Sequence, residues 1–537
     1  MRRSARGAVE LSFGREPLRA GWLASAPAVL LAGVAQALSF SPFELWWLQL
    51  IALAVLAHAT ARASMRRAAL MGWLFALGWL IAGFWWLYIS MHQFGGLSPL
   101  LAGAAVVMLA ALLGLYYAAA MALWARWRTG RAAWDVGLWG ACWLLAELAR
   151  GVIFTGFPWI ASGYAHTVGP LAAWIPWIGV YGLCALVAVL ASTAALWLRV
   201  LPMRSRAATT LAVAVLALAP HALNGEFTRS TGVLDVSLLQ PNVAQNLKFD
   251  PARLESQLVG LTEQLAAARG TLVVTPESVV PLTRAELSKG YWDELRAQLK
   301  PLPGQPDAPR AALVGIFVGD AESGYVNSVV GLPSHTFDEQ SAATLAAYTY
   351  GKRHLLPFGE IIPPGFHWFV TLMRIPLADQ ARGQTTASLS FAGQRLRPLV
   401  CYEDLFGEEI ASSVVGDQAA TVFVNVSNLA WFGRLLVQDQ HLQFSQMRAL
   451  EFQRPFIRST NTGATAVIDH HGQVTARLPM LTAGILEARV EGRIGQTPYA
   501  NWLAAWGLWP LLVAALAVLG GAMLLGRRDG LAAAPRP

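Results

Sequence analysis

The sequence predicts a membrane protein in two parts, a polytopic α-helical body of about eight spans and one α/β domain placed before the last of them. Three observations carry this reading. Hydrophobic residues make up 55% of the 537-residue chain, charged residues only 13%, and there are 22 tryptophans, an apolar share beyond that of soluble chains. The apolar residues concentrate before Pro220 and again after Asn501. The stretch between them has ordinary charge density and short β-rich runs alternating with helical ones.

Charge-free apolar runs of roughly 17 to 25 residues match a hydrocarbon core about 30 Å thick. Such runs are Ala20–Leu38, Leu45–Ala61, Ala68–Ser90, Leu97–Trp124, Ala132–Ala149, Pro170–Leu198, Ala207–Pro220 and Trp502–Leu525. Each is expected to be helical, because in lipid a helix satisfies its backbone polar groups within one segment. The fifth run contains Asp135 and Glu147, and the seventh is short. Glu147 lies near the outer end of its run with Arg150 close by, a pattern expected of a structural ion pair. Seven spans exceed what a simple anchor needs, so a body that handles lipid or passes a solute is expected.

Arginine sets the orientation. Arg2, Arg3, Arg6, Arg15 and Arg19 precede the first span; Arg62, Arg66 and Arg67, then Arg126, Arg128 and Arg131, then Arg199, Arg204 and Arg206 fill alternate connections. The loops between, such as Ser39–Glu44 and Met91–Gly96, carry no Lys or Arg. By the positive-inside rule the arginine-bearing connections are cytoplasmic. The expected order is a cytoplasmic N-terminus at 1–19, a seven-helix domain at 20–221, an extracytoplasmic domain at 232–498, a last span at 502–525 and a cytoplasmic tail at 526–537. No cleavable signal peptide is expected, since the first apolar run is long and lacks a clear cleavage site. The net charge of +8 largely records this arginine bias, so no nucleic-acid partner is implied.

Within 232–498, strands are expected at Val233–Leu239, Thr271–Thr275, Ala311–Val318, Val326–Leu332, Ala343–Tyr350, Pro398–Cys401, Thr421–Val426 and Thr465–Asp469. Arg253–Ala268 and Gln438–Phe452 have helical periodicity. Polar residues at strand ends are the place to look for chemistry. Leu272-Val273-Val274-Thr275-Pro276-Glu277 puts an acid just past an apolar strand. Tyr350-Gly351-Lys352 puts a lysine past another, with a second acid at Glu360. Cys401 closes the run Arg397-Pro398-Leu399-Val400 and leads into Tyr402-Glu403-Asp404. It is the only cysteine outside the apolar spans, since Cys142 and Cys184 lie within them, so a free thiol is implied.

Thiol, carboxylate and ammonium together suffice for acyl transfer through a thioester. The thiol needs a base or cationic neighbour to become a nucleophile. The carboxylate takes its proton and the ammonium steadies the developing oxyanion. No metal is expected, because His470 and His471 stand without a recognisable partner spacing, and no cofactor is called for.

These residues resemble a known family. Glu277 in TPES, Lys352 in YGKRHLLPFGE and Cys401 in VCYED are similar, in order, to the Glu-Lys-Cys triad of the nitrilase, or carbon–nitrogen hydrolase, superfamily. With a multi-span N-terminal region and one C-terminal span, the chain resembles the bacterial apolipoprotein N-acyltransferase family over nearly its whole length. Gln240-Pro241-Asn242, Tyr325-Val326-Asn327-Ser328, Ser427-Asn428, Trp431-Phe432-Gly433, Arg448-Ala449-Leu450-Glu451 and Arg458-Ser459-Thr460-Asn461-Thr462-Gly463 belong to the likeness.

The resemblance implies an αββα sandwich and a ping-pong reaction. Cys401 would take an acyl chain from a phospholipid, typically phosphatidylethanolamine. The free α-amino group of an S-diacylglyceryl cysteine at the N-terminus of an apolipoprotein would then accept it. Glu277 becomes the general base, Lys352 the oxyanion stabiliser and Cys401 the nucleophile. Glu360 matches the family's second acid, and Tyr402 and Glu403 match the residues flanking its nucleophile. The resemblance also implies a monomer in the bacterial inner membrane with its active site on the periplasmic face. Two positions depart from the family pattern: Phe249 stands where tryptophan is common, and Leu429 where Asp is frequent. The alternative activity is that of a membrane-tethered amidohydrolase acting on a small C–N substrate.

Two apolar segments stand beside the expected site. One runs from Ile361 to Met373 and includes Trp368 and Phe369; the other holds Trp431, Phe432, Leu435 and Leu436. Both suit a lid or a surface dipping into the outer leaflet. With Phe249, and with Arg434 as a phosphate contact, they make up the expected lipid-contacting set.

Overall fold

The computed structural model describes residues 21–199, 203–223 and 225–532, apart from positions 289, 305, 307, 321, 363–364, 366–367 and 369–379. The N-terminal segment 1–19 and Phe369 therefore lie outside the described residues, as does most of the apolar segment after Glu360.

All eight expected spans coincide with helices: α1 (Gly21–Ala37), α2 (Trp46–Thr60), α3 (Met65–Phe84), α4 (Pro99–Trp127), α5 (Ala132–Val152), α6 (Ile175–Arg199), α7 (Met203–Leu218) and a C-terminal pair. Among the described residues, four helices are long and apolar enough to cross a membrane, and counting the bent C-terminal pair as one span makes five. The eight-span expectation is thus met in position but not in length, since α1, α2 and α7 give only shorter apolar stretches. The expected single span Trp502–Leu525 is broken. α12 (Pro498–Trp506) and α13 (Trp509–Ala532) meet at an 85° bend. Gly507, at φ +56° between them, adopts a left-handed conformation that glycine enters at little cost.

Two buried acids of the body, Asp135 and Glu147, are held by hydrogen bonds. Asp135 accepts from the N–H of Thr129 and of Gly130 at 2.6 and 3.0 Å. Glu147 and Arg150 form the expected ion pair at 2.8 Å with both side chains fully buried. Glu147 also accepts from Ser162, and Arg150 donates to the carbonyls of Phe157 and Trp159. Added hydrogen bonds of this kind are what make a buried charge pair tolerable.

The second domain is a four-layer sandwich. One six-stranded sheet runs in the order β12-β1-β2-β3-β4-β5, and the other in the order β11-β10-β9-β8-β7-β6. The strands are β1 (Thr228–Gln240), β2 (Leu272–Val274), β3 (Ala311–Asp320), β4 (Gly324–Pro333), β5 (Thr349–Gly351), β6 (Leu389–Phe391), β7 (Gln394–Val400), β8 (Val422–Ser427), β9 (Phe456–Thr460), β10 (Ala466–Ile468), β11 (Val474–Arg477) and β12 (Gly484–Gly495). Val236, Val274, Leu313, Val400, Val424 and Ile457 are among the residues that form the apolar layer between the sheets. Outside the first sheet lie α8 (Pro251–Ala267) and α9 (Tyr291–Gln298), through Leu261, Leu265 and Leu295. Against the second lies α11 (Val437–Phe452), through Leu442, Ala449 and Phe452.

One strand expectation is corrected. Ala343–Tyr350 is mostly helix, α10 (Glu339–Ala347), with only Tyr350 and its neighbours in β5. Asp338 caps that helix by accepting from the Ser341 N–H at 2.9 Å, and an alanine-rich segment behind such a cap favours helix.

The two domains are joined through α11. Its residues are almost all buried although they alternate polar and apolar, because its polar side chains bond to the helical body. Gln440 accepts from the indole N–H groups of Trp86 and Trp159 at 3.1 and 2.8 Å. Gln443 accepts from the Ser41 N–H, and Glu451 from the Val180 N–H at 2.7 Å. Phe444 and Met447 share one apolar cluster with Trp79, Trp143 and Tyr164 of the body.

Candidate active site

The expected triad is assembled from three strand ends on two sheets. Glu277 follows β2 and Lys352 follows β5, both in the first sheet; Cys401 follows β7 in the second, facing them across the sandwich. Each turn holds a non-glycine residue at positive φ: Ser278 at +42°, Phe358 at +59° and Cys401 itself at +57°. Such conformations cost energy and persist only where packing fixes them. Gly315 of β3 is what allows the first turn. A Cβ there would lie 2.2 Å from the Pro276 carbonyl oxygen.

Glu277 is held on both oxygens. Asn327 donates from Nδ2 to Oε1 at 2.6 Å, and the Asn428 N–H donates to Oε2 at 2.8 Å. Lys352 Nζ stands 3.8 Å from Oε1 of Glu277 and 2.7 Å from Oε1 of Glu360. Glu360 takes a second hydrogen bond on Oε2 from the Leu356 N–H at 2.8 Å. Lys352 is 1% exposed. Burial alone would lower its pKa, but the charges of Glu360, Cys401 and Glu277 hold it well above the ordinary lysine value. Burial raises the Glu360 carboxyl, against the pull of Lys352. The Cys401 thiol is likewise pushed well up, by burial first and then by the Glu277 carboxylate, with Lys352 opposing. In this setting the resting sulfur keeps its proton until a base removes it.

The flanking residues have different duties. Tyr402 is buried, donates to the Leu355 carbonyl at 3.2 Å and presents its ring 5.8 Å from the Lys352 ammonium. Glu403 points away from the triad and gathers donors. The N–H groups of Val400, Arg353 and His354 reach it at 2.7, 2.7 and 3.2 Å, and the Tyr350 hydroxyl at 2.9 Å. It therefore ties the end of β7 to the loop carrying Lys352. The backbone of Arg353 and His354 serves this tie, and the His354 ring pairs with Glu409 at 2.7 Å.

Of the expected lipid-contacting residues, Phe249, Trp368, Trp431 and Arg434 are exposed. Trp431 stands edge-on to Phe94 of the helical body at 5.6 Å, and Phe432 edge-on to Trp86 at 4.9 Å. Leu429 is buried at 1% exposure and packs as an apolar residue where the family pattern has an acid. His470 and His471, for which the sequence shows no cysteine or histidine at a metal-ligand spacing, both face Glu226, with Nε2 atoms 3.6 and 3.1 Å from its carboxylate. Arg493 lies 2.8 Å from the same carboxylate.

The structure adds residues that the sequence did not single out. Lys248 is buried beside Phe249 and donates to the Glu277 carbonyl at 3.0 Å and to Ser278 Oγ at 2.8 Å. Burial lowers its pKa to about 8, against Glu277 and Cys401. Asn425 donates to the Cys401 carbonyl at 2.8 Å. The asparagines in the strings Tyr325–Ser328, Ser427-Asn428 and Arg458–Gly463 all bear on Glu277 or its neighbours, Asn461 through Asn428 at 3.0 Å. A buried asparagine beside a strand-end acid was the available signal.

Fold and site together define a carbon–nitrogen hydrolase domain joined to a helical membrane body. Residues 238–499 match the carbon-nitrogen hydrolase family, and residues 32–193 match the apolipoprotein N-acyltransferase N-terminal domain. An apolipoprotein N-acyltransferase of Verminephrobacter eiseniae is 47% identical over 514 residues, covering 90% of this chain and 93% of that protein. One of Ralstonia nicotianae is 42% identical over 516 residues, covering 95% of each. A carbon–nitrogen hydrolase superfamily protein of Xanthomonas campestris, of known structure, is 17% identical with a TM-score of 0.36 and covers 52% of this chain and 96% of its own. The chain belongs to the apolipoprotein N-acyltransferase family.

Proposed function

We propose that the protein moves an acyl chain from a phospholipid, through a thioester on Cys401, to the α-amino group of an S-diacylglyceryl cysteine at the N-terminus of an apolipoprotein. The observation that carries this is the pairing of a doubly held carboxylate, Glu277, with a buried ammonium, Lys352, at 3.8 Å, both facing the Cys401 thiol. In the first half-reaction Glu277 takes the thiol proton as Cys401 Sγ attacks the ester carbonyl. Lys352 lies where an ammonium would meet the negative charge developing on that oxygen. The C–O bond to glycerol breaks, the leaving alkoxide takes the proton from Glu277, and lysophospholipid departs.

In the second half-reaction the amine attacks the thioester carbonyl and gives its proton to Glu277. The C–S bond breaks, the thiol regains that proton, and the amide product leaves. Glu360 fixes Lys352 laterally, so the ammonium stays aimed at the reacting carbonyl rather than bonded face-on to Glu277. Phosphatidylethanolamine is the donor in this reading, and no metal or cofactor takes part.

The protein works as a monomer in the bacterial inner membrane, with the catalytic domain 232–498 on the periplasmic face, seven helices at 20–221 before it, the span at 502–525 after it, and the ends 1–19 and 526–537 in the cytoplasm. Arg128 supports this orientation. It donates to the carbonyls of Thr60 and Ala61 at the end of α2, in the turn that leads into α3, whereas α11 of the catalytic domain reaches Gly83 at the far end of α3. The arginine-bearing and catalytic ends of the body are thus opposite. Phe249, Trp368, Trp431 and Arg434 meet lipid at the mouth of the site, the arginine at a phosphate; Phe369, expected to join them, lies outside the described residues.

A phospholipid carrying a tagged acyl chain tests the first step. Native protein should acquire a hydroxylamine-sensitive label at Cys401 and Cys401→Ser none; a label retained in Cys401→Ser overturns the thioester.

A further inference from the structure

Behind the nucleophile lies a fully buried polar cluster that the mechanism above does not use. Asp404, three residues after Cys401 in the same tight turn (Cys401–Leu405), places Oδ2 2.9 Å from Arg458 Nη1 and accepts a hydrogen bond from Ser445 Oγ at 2.5 Å. Its Oδ1 lies 3.3 Å from His441 Nε2. All four side chains are 0% exposed. His441 and Ser445, four residues apart, share one face of α11, and Arg458 projects from β9.

The tautomer of His441 follows from its neighbours. Arg458 Nη2 stands 2.5 Å from Nδ1, and a guanidinium only donates. Nδ1 is therefore the acceptor, which leaves Nε2 to carry the ring proton beside Asp404. Burial lowers the pKa of His441, consistent with a neutral ring. The Cys401 carbonyl itself accepts from Asn425 Nδ2 at 2.8 Å, so the turn is held at its first residue as well as at Asp404.

The cluster is closed from the membrane side. Trp159, in the loop after α5, stacks on the His441 ring with centroids 5.9 Å apart and 15° between planes. Tyr164 of the same loop donates to the Leu405 carbonyl, the last residue of the Cys401 turn, at 3.1 Å. A side chain of the helical body thus presses on each end of the arrangement.

We propose that Asp404, His441, Ser445 and Arg458 form a positioning unit that fixes the Cys401 peptide in its left-handed conformation. Trp159 completes the unit from the membrane body, so the nucleophile is aligned only while the catalytic domain is seated on that body. The proposal rests on Cys401 being the nucleophile. Loss of the Asp404 charge would leave Arg458 buried without its counter-charge, and a misplacement of the nucleophile by about 1 Å can cost about a hundredfold in rate.

The test uses the full-length protein in detergent or liposomes, with Asp404→Asn, Trp159→Leu and the double variant. Three quantities are read: kcat and KM for acyl transfer from tagged phospholipid to Cys401, the rate of Cys401 alkylation by iodoacetamide located by mass, and thermal unfolding. Each single variant should lower kcat by about tenfold or more at unchanged KM, with alkylation slowed in parallel. The double variant should be little worse than the weaker single, because both act on one unit. Normal kcat in folded protein overturns the proposal, as does a loss that follows only the unfolded fraction while alkylation stays normal, or strictly multiplicative effects. Should Asp404→Asn not fold, Trp159→Leu, which leaves the catalytic domain intact in sequence, decides by the same readouts. Failure of the thioester reading looks different: native protein would take no acyl label, while alkylation rates would still report on the unit.

Discussion

At Cys401 two demands oppose each other: the sulfur must be buried to protect an acyl intermediate from water, and burial disfavours the thiolate it needs. In the proposed reaction Glu277 is the proton acceptor, and its negative charge raises the thiol further. Alkylation of Cys401 by iodoacetamide should therefore keep rising above pH 8.5, the ordinary thiol range, and a plateau below that pH contradicts the assignment. In Glu277→Gln acyl transfer should be lost while the alkylation pKa falls, since one raising influence is gone and Lys352 remains. Lys352→Met should lower kcat by about a hundredfold to a thousandfold in single-turnover assays of both half-reactions, as removal of an oxyanion donor does.

Lys248 makes a stability prediction. Its folded pKa of about 8 lies below the ordinary 10.5, so between those values the folded state binds fewer protons than the unfolded one, and stability rises with pH across that window. Unfolding midpoints of native protein relative to Lys248→Met should show this rise, and a flat difference would remove the lysine from the ledger of buried charges.

At the scale of elements, Glu403 is the knot between β7 and the Lys352 loop. Glu403→Ala strands buried donors, each worth about 1–3 kcal/mol when left unmade, whereas Tyr350→Phe removes one donor and should cost about 1 kcal/mol. Denaturant unfolding of the two variants should rank them in that order. The strand ends carrying Glu277, Lys352 and Cys401 were legible because apolar β-runs stop abruptly at a polar residue. The strand expected at Ala343–Tyr350 differs from the structure because the apolar spacing of its first part fits either period, and the Asp338 cap decides for helix. The break at Gly507 was hidden because an apolar run reads the same straight or bent. The Asp404 cluster could not be found from sequence, since its members come from a turn, a helix and a strand whose proximity only the sandwich creates.

Across the whole molecule the catalytic domain and the helical body are one packed object. Tyr402, Leu405, Phe406, Phe444 and Met447 lie in the same apolar cluster as Trp79 and Trp143, so a fragment spanning 225–497 should expose that surface. It should aggregate or bind a hydrophobic dye and show no acyl transfer; a soluble, active fragment would contradict the idea that the body completes the site. The body's uniform apolarity made its spans readable, whereas its docking to α11 depends on Gln440, Gln443 and Glu451, polar residues that look solvent-facing in sequence. The central claim is that the acyl chain on Cys401 goes to an amine. The direct measurement is the fate of a tagged acyl group, preloaded on the native protein, after addition of a diacylglyceryl lipopeptide with a free α-amine. Loss of the thioester with equal gain of an alkali-stable amide on the peptide is the predicted result; release of free fatty acid with unmodified peptide would contradict it.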